Sequence, residues 1–212
     1  MRVARGLTAA DPNACVLLCA VELCTVHQQY GWDPAQTTAN ALFADGAAAI
    51  VGMQTSAVPT AEIVDVKGPV DRPWRVVGGG SAIIPDTVDH MSWRIGDHGF
   101  RMTLSREVPA IIESQLGDWL HPWLASFGLT VADVGCWAAH PGGPKILAGT
   151  AAGAGVSMDE MQVSLDILAN YGNMSSPTVL FVLEQLRKQN AALPCVVLGF
   201  GPGLAIEAAL IA

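Results

Sequence analysis

The sequence predicts an α/β fold in which a sheet is covered by helices on both of its faces. Short apolar runs, typical of strands, alternate along the chain with segments whose apolar residues recur at helical spacing. Several of these runs are continuously apolar, which is the pattern of strands buried on both faces. Turns rich in glycine and proline separate them. Together these observations favour a layered α/β architecture.

The N-terminal part of the chain is predicted to consist mainly of strands. Residues Val3 to Ala10 resemble the last turns of a helix. The composition changes near Pro69–Pro73, where we predict a boundary between a first domain, residues 1–72, and a second, residues 73–212. Four strand-like runs are found at Cys15–Val21, Ala47–Gly52, Glu62–Val66 and Trp74–Ile84.

The second part alternates strands and helices more regularly. A short strand at Phe100–Ser105 precedes a helix whose apolar positions run from Val108 to Phe127. Pro109 falls in the first turn of that helix, where its missing N–H costs nothing. The remaining predicted elements are a strand at Val134–Ala139, a helix that ends at Gly172, a helix that begins near Pro177, and strands at Pro194–Leu198 and Leu204–Ile211.

Composition excludes several classes of protein. The chain has 212 residues, of which 51% are hydrophobic and only 14% charged, with a net charge of −8. Soluble domains carry about 25% charged residues, so we expect part of this surface to be covered by further protein. A chain this acidic lacks the electrostatic footprint for nucleic acid or an anionic membrane.

Targeting and redox signals point to a cytoplasmic protein. No apolar run reaches the ~18 residues of a membrane span. The apolar stretch Ala14–Val21 is predicted to be a buried strand rather than a signal peptide. Five cysteines occur in apolar contexts without a CxxC pattern, which predicts reduced thiols in the core.

The clearest chemical signal lies in the segment Trp137–Lys145. His140 follows a predicted buried strand and precedes a turn through two glycines into a helix. Ligands of open α/β sheets bind outside the carboxyl ends of strands, and a helix N-terminus there adds partial positive charge and free N–H groups. His140 is therefore a candidate catalytic residue. The alternative is a turn histidine that merely ends the strand.

Two further segments are weaker on local pattern alone. Asn173, in the segment Gly172–Pro177, can donate its amide N–H into a cleft, but a helix cap is the simpler interpretation. Phe43, in the segment Leu42–Ala49, can wall a pocket, but on local pattern a core aromatic beside a tight turn is the better interpretation.

Other familiar site patterns do not occur in the sequence. The stretch Gly199–Gly203 is not a dinucleotide fingerprint, because a strand rather than a helix follows it. Cys15, Cys19 and Cys24 have a spacing that no common zinc site uses. We therefore expect no metal, and interpret these three cysteines as small core residues.

Taken together and in order, five segments resemble the type III polyketide synthases of the chalcone and stilbene synthase family, in a bacterial rather than a plant form. The spacing agrees along essentially the whole chain. The resemblance implies a thiolase-like layered fold, of which this chain holds a complete C-terminal half and the end of the N-terminal half. The five segments are Val21–Cys24, Ala41–Ala49, His140–Pro144, Gly172–Ser176 and Gly199–Gly203.

The resemblance also implies a reaction, the iterative decarboxylative condensation of malonyl-CoA with an acyl-CoA starter by a homodimer. No cofactor beyond the CoA thioesters is implied. The family uses a Cys–His–Asn triad, and His140 and Asn173 match its histidine and asparagine. Two N–H donors from these side chains would stabilise the enolate that forms as carbon dioxide leaves. Phe43 matches a gatekeeping phenylalanine, and Gly201 and Pro202 lie in a loop that matches one lining the cavity.

Other matched positions bear on the substrate. His27, Trp93 and Met102 fall where family members vary the residues of the cavity wall, although core packing explains each of them as well. Met102 stands where plant enzymes carry a second phenylalanine, and a flexible methionine predicts an aliphatic or small starter. Lys145 can reach a CoA phosphate, or it is a solvated surface lysine.

The family's nucleophilic cysteine finds no match in this sequence. An ungapped match of Arg2–Glu22 places it a few residues before Met1, where none of the five cysteines falls. We therefore expect the chain to be inactive alone and completed by a missing N-terminal half. The alternatives are a split or non-catalytic subunit, a pseudoenzyme that packs against a partner, and a ketoacyl-ACP synthase III-like enzyme, which the His140–Gly143 turn disfavours.

Overall fold

A computed structural model describes residues 1–31, 34–54, 73–97 and 99–212 of the chain. Its helices are α1 (Arg2–Ala10), α2 (Pro34–Leu42), α3 (Val108–Ala125), α4 (Pro144–Ala154), α5 (Gln162–Tyr171) and α6 (Thr178–Lys188). Its strands are β1 (Cys15–Leu23), β2 (Asp45–Met53), β3 (Val76–Ile83), β4 (Met91–Gly96), β5 (Gly99–Leu104), β6 (Cys136–Ala139), β7 (Cys195–Gly201) and β8 (Ala205–Ile211). Short 3₁₀ turns at Cys24–His27, Val131–Asp133 and Met158–Met161 connect some of them.

The central element is a mixed four-stranded sheet with the order β3-β8-β7-β6. β6 and β7 are parallel, whereas β8 is antiparallel to both β7 and β3. Successive residues of β7 face opposite sides of the sheet: Val196 and Leu198 pack in one core cluster, and Cys195 and Val197 in the other. The predicted α/β sheet with two covered faces is confirmed.

Different helices form the two cores. Helices α3 and α4 cover one face, where Leu116, Leu120 and Leu147 are fully buried. Helices α5 and α6 cover the other, through residues such as Ile167 and Leu183. Among the described helices, none combines the length and apolarity needed to cross a membrane.

Two antiparallel ribbons, β1–β2 and β4–β5, flank the central sheet. The inner face of β1–β2, including Leu18 and Ile50, packs on the core beside α6. Its outer face carries Leu17 and Val51, which are exposed, since no described residue covers it.

The prediction that Cys15, Cys19 and Cys24 are core residues is wrong. Cys15 and Cys19 are exposed and Cys24 is half-buried. The reason is the two-residue period of a strand, which turns every second side chain of β1 to the outer face of the ribbon. Only Cys136 and Cys195 are buried thiols.

Most predicted elements occur within two residues of their predicted bounds, including β1, β2, β5 and β8. The predicted run Trp74–Ile84 is shortened to β3, and the predicted strand Glu62–Val66 lies outside the described residues, as does the predicted boundary at residue 72. Helix α2 and strand β4 were not expected from the sequence.

Candidate active site

His140 is placed by the end of strand β6. Its backbone N–H donates to the carbonyl of Leu198 at 2.7 Å, so it extends the parallel ladder with β7 by one residue. The carbonyl of the preceding Ala139 accepts a 2.7 Å hydrogen bond from the buried Ser164 hydroxyl of α5. Both edges of the strand end are therefore hydrogen-bonded, and the backbone from which the imidazole extends is fixed.

The chain turns sharply after His140 into helix α4. The Gly142 N–H donates to the His140 carbonyl at 2.9 Å, and Gly143 has a φ of 150°, in the region that favours glycine. Pro144 then occupies the first turn of the helix, where its missing N–H leaves nothing unpaired. The two glycines thus allow the direct passage from strand end to helix start.

The imidazole of His140 is half-buried and neutral at physiological pH. Burial lowers its pKa from 6.5 to about 4, since a charged ring would lose hydration there. No opposing effect of a described neighbouring residue acts on this pKa. A neutral imidazole can donate a hydrogen bond without giving up a full proton, which suits a group that stabilises an oxyanion.

Burial of a neutral histidine makes stability depend on pH, and this gives a first prediction. The unfolded chain binds a proton at His140 near pH 6.5, whereas the folded chain binds it only near pH 4. The free energy of unfolding should therefore fall as the pH drops through this window, by on the order of 3 kcal/mol in full.

Urea unfolding of the wild-type chain and His140→Gln, between pH 7 and pH 4.5, measures this effect. The wild type should lose stability more steeply than the variant as acid is added. Asp45 and Asp133 do not obscure the window, because their pKa values are lowered from 3.8 by hydrogen bonds from Thr25 and Thr130. Parallel pH profiles for the two proteins would contradict the assignment.

Asn173 is buried in the turn that follows α5. Gly172 ends the helix with a φ of 73°, and Asn173 then pairs with the end of α2: its N–H donates to Leu42, and its carbonyl accepts from Ala44, both at 2.9 Å. Its side-chain Oδ1 accepts a 2.9 Å bond from the Ser175 N–H. With the amide oxygen held in this way, the side chain presents its Nδ2 group as the donor.

Phe43 lies directly beside Asn173, because the two residues form a parallel β-bridge. The Phe43 ring meets the Trp93 ring edge-on, with 5.9 Å between centroids and 62° between planes. Two residues that are 130 positions apart in the chain are thus adjacent, and the aromatic pair forms one wall of a cavity.

This cavity has a volume of about 370 Å³. Four residues predicted to bind substrate line it: His27, Phe43, Trp93 and Met102. Trp93 and Met102 are register partners in the β4–β5 ribbon and so lie side by side on one wall. The described lining also includes Glu22, Leu23, Cys24, Gln28, Ala39, Asn40 and Ser175.

Cys24 is a cavity residue that the sequence interpretation missed. Its pKa is raised by burial and by the nearby carboxylates of Glu22 and Asp45. The Asp45 carboxylate in turn accepts hydrogen bonds from the N–H and hydroxyl of Thr25, at 2.8 and 2.6 Å. The thiol is therefore held protonated at neutral pH and is a poor nucleophile. Its place in the matched segment Val21–Cys24, three residues before the predicted cavity residue His27, could have identified it.

The other predicted site residues lie away from the described lining of this cavity. Lys145 is exposed in the first turn of α4. Gly201 is the last residue of β7, and Pro202 is exposed in the turn before β8. The Thr87 hydroxyl stabilises this turn by accepting a hydrogen bond from the Leu204 N–H. Their roles in binding CoA and substrate stay predictions.

The two candidate catalytic residues differ in their position relative to the cavity. Asn173 adjoins it through Phe43 and Ser175, which both line it. His140 is not part of the described lining, so its convergence with Asn173 on one carbonyl stays a prediction. Within the described ranges, no three His, Cys, Asp or Glu side chains cluster closely enough to hold a metal ion.

Comparison with known proteins identifies relatives of this arrangement. Residues 76–212 match the family model described as chalcone and stilbene synthases, C-terminal domain. The chain is 35% identical over 204 residues to a 1,3,6,8-tetrahydroxynaphthalene synthase of Streptomyces peucetius, covering 94% of the chain and 52% of that protein. It is 30% identical over 213 residues to the α-pyrone synthesis polyketide synthase-like Pks18 of Mycobacterium tuberculosis, covering 98% and 52%.

Solved structures agree with these matches. The crystal structure of PKS-I from the brown alga Ectocarpus siliculosus superposes with a TM-score of 0.88 at 28% identity, over 99% of this chain and 55% of that one. The 1,3,6,8-tetrahydroxynaphthalene synthase of Streptomyces coelicolor gives a TM-score of 0.84 at 27% identity, over 100% and 57%. The chain thus spans about half the length of the relatives that it matches.

Proposed function

The chain belongs to the chalcone and stilbene synthase family of type III polyketide synthases, and from this premise we propose that, together with the rest of the family fold, it carries out the decarboxylation of malonyl-CoA for condensation with an acyl-CoA starter. The observation that carries the proposal is a neutral, half-buried imidazole at the carboxyl end of β6, combined with a buried carboxamide whose oxygen is already held. Both groups offer N–H donors, which is what a developing enolate requires.

In the proposed step, His140 Nε2 and Asn173 Nδ2 donate hydrogen bonds to the thioester oxygen of malonyl-CoA. As the carbon–carbon bond to the carboxylate breaks, its electron pair moves towards that oxygen and carbon dioxide leaves. The enolate carbon then attacks the carbonyl carbon of the acyl thioester, and the cysteine thiolate departs. A neutral imidazole supports this order of events, because an imidazolium would protonate the enolate too readily.

We infer that none of the five cysteines accepts the acyl group. Cys136 and Cys195 are buried in the sheet, and Cys15 and Cys19 lie on the outer face of β1. Cys24 lies in the cavity, but its raised pKa disfavours the thiolate. In this proposal the acyl-accepting cysteine therefore belongs to protein beyond these 212 residues.

This inference predicts that the chain alone cannot be acylated. After incubation with acetyl-CoA and with hexanoyl-CoA, the intact mass of the purified chain should be unchanged. A hydroxylamine-sensitive adduct on any of the five cysteines would overturn the inference. Because hydroxylamine cleaves thioesters selectively at neutral pH, adducts on other side chains are distinguished from the expected intermediate.

The function itself is tested by completing the fold. The chain is joined to the part of the Streptomyces peucetius synthase that the match leaves uncovered, and the fusion is given malonyl-CoA and a panel of acyl-CoA starters. We expect release of carbon dioxide and condensed products in the mass spectrum, without any added cofactor. A folded, monodisperse fusion that releases no carbon dioxide from malonyl-CoA would contradict the proposal.

The cavity suggests which starters the panel should include. Phe43 and Trp93 give it one aromatic wall, and Met102 supplies a flexible side chain beside them. We propose an aliphatic starter, so the fusion should accept hexanoyl-CoA as its starter in preference to benzoyl-CoA. The opposite preference would contradict this choice while leaving the condensation itself supported.

A further inference from the structure

Two cysteines that play no part in the proposed reaction face each other inside the sheet. Cys136 is the first residue of β6 and Cys195 is the first residue of β7, and they are register partners in the parallel pair. Both belong to the core on the α5–α6 side of the sheet, with Cys136 6% and Cys195 0% exposed. Their side chains therefore leave neighbouring strands on the same face and at the same level.

The spacing of neighbouring strands suits a bond between the two sulfurs. Adjacent strands lie about 4.8 Å apart, and the Cα atoms of disulfide-bonded cysteines lie about 4.4–6.8 Å apart. Cys136 and Cys195 are both free thiols in this structure.

We propose that Cys136 and Cys195 form a dithiol site that hydrogen peroxide oxidises to a disulfide joining β6 to β7. The Cys136 thiolate attacks the peroxide, its sulfur takes one oxygen as a sulfenic acid, and the first water leaves. Cys195 sulfur then attacks the sulfenic sulfur, the S–O bond breaks, and the oxygen leaves as a second water with the thiol proton. One peroxide is reduced and two thiols are oxidised, so the electrons balance.

The assignment of roles within the pair follows from the effect of each thiol on the other and from their exposure. The interaction with Cys195 lowers the pKa of Cys136, and the interaction with Cys136 raises the pKa of Cys195. Cys136 is also 6% exposed and follows the exposed Gly135, whereas Cys195 is fully buried. Cys136 is therefore the thiol that a small oxidant meets first, while Cys195 resolves the intermediate.

No other described pair of cysteines shares this arrangement. Cys15 pairs with Met53 and Cys19 with Ala49 in the β1–β2 ladder, so neither has a cysteine opposite it. Cys24 follows the end of the same strand. These three thiols serve as internal references that should not form the same cross-link.

Peptide mapping of the folded chain tests the proposal directly. Trypsin releases Cys136 in the peptide 107–145 and Cys195 in the peptide 189–212, and neither contains another cysteine. After hydrogen peroxide and alkylation of remaining thiols, we expect these two peptides linked, with a mass two hydrogen atoms below their sum. Dithiothreitol should separate them again.

Two variants distinguish a specific disulfide between Cys136 and Cys195 from non-specific oxidation of cysteines. Cys195→Ala should abolish the linked peptides and leave Cys136 as a sulfinic acid, whereas Cys15→Ala should leave the link unchanged. The peptide map of the wild-type chain tests the cross-link without any variant. The proposal therefore remains testable even if the Cys195→Ala protein folds poorly. Linked peptides that appear only in urea would overturn the proposal, as would Cys136 bonded mainly to another cysteine.

Discussion

Replacing Gly149 with alanine is expected to lower the free energy of unfolding by about 2 kcal/mol. A Cβ atom there would overlap the carbonyl oxygen of Pro109, which is backbone and cannot rotate away. Helices α3 and α4 would have to separate. The better helix propensity of alanine offsets only about 1 kcal/mol of the cost.

The same contact recurs along the helix pair. A Cβ at Gly153 would lie 2.7 Å from the Ile112 carbonyl oxygen, and one at Gly117 of α3 would lie 2.9 Å from the Gly153 oxygen. The three glycines thus form one line of close backbone approach. Because α4 begins at the turn after His140, a shift of this helix would also displace the candidate site.

Gly6→Ala provides the matched control. Gly6 lies within α1, and a Cβ there would meet nothing within 4 Å. The same substitution should therefore stabilise the chain by up to about 1 kcal/mol, through helix propensity and reduced freedom of the unfolded state. Thermal unfolding compares them: Gly149→Ala should lower Tm by about 4–8 °C. Equal shifts in both variants would refute the close-packing argument.

Much of the fold follows from pattern alone, and the exceptions have physical reasons. Strands such as β7, which are buried on both faces, read as continuous apolar runs and are identified easily. β4 does not, because Met91–Gly96 is a half-exposed strand whose partner β5 decides its conformation. Helix α2 is short and its apolar residues are small alanines apart from Leu42, so no run of large apolar side chains marks it in the sequence.

The candidate site shows a similar division. The strand end, glycine turn and helix start around His140 are local features, and the sequence predicted each of them. The β-bridge between Phe43 and Asn173 is not local, since it depends on how α2 and α5 are brought together. The outward side of β1 was misjudged for a related reason: an apolar strand does not reveal whether a second layer covers it.

Asn173→Asp should lower the rate of malonyl-CoA decarboxylation by the completed fusion by about 10²–10³-fold. Aspartate keeps the Oδ1 acceptor that receives the Ser175 N–H at 2.9 Å, so the turn before α6 is preserved. It replaces the Nδ2 donor with a second acceptor, which repels the negative charge that develops on the thioester oxygen. The substitution therefore separates the catalytic role of Asn173 from its structural one.

Asn170→Asp is the matched control, because it makes the same chemical change three residues earlier on the exposed surface of α5. It removes only the hydrogen bond from Asn170 Nδ2 to the Asp166 carbonyl, and activity should stay near the wild-type rate. Carbon dioxide release gives the rate, and circular dichroism shows whether both variants fold. If Asn173→Asp folds and retains the wild-type rate, Asn173 acts only as a turn residue and the proposed oxyanion site needs another second donor.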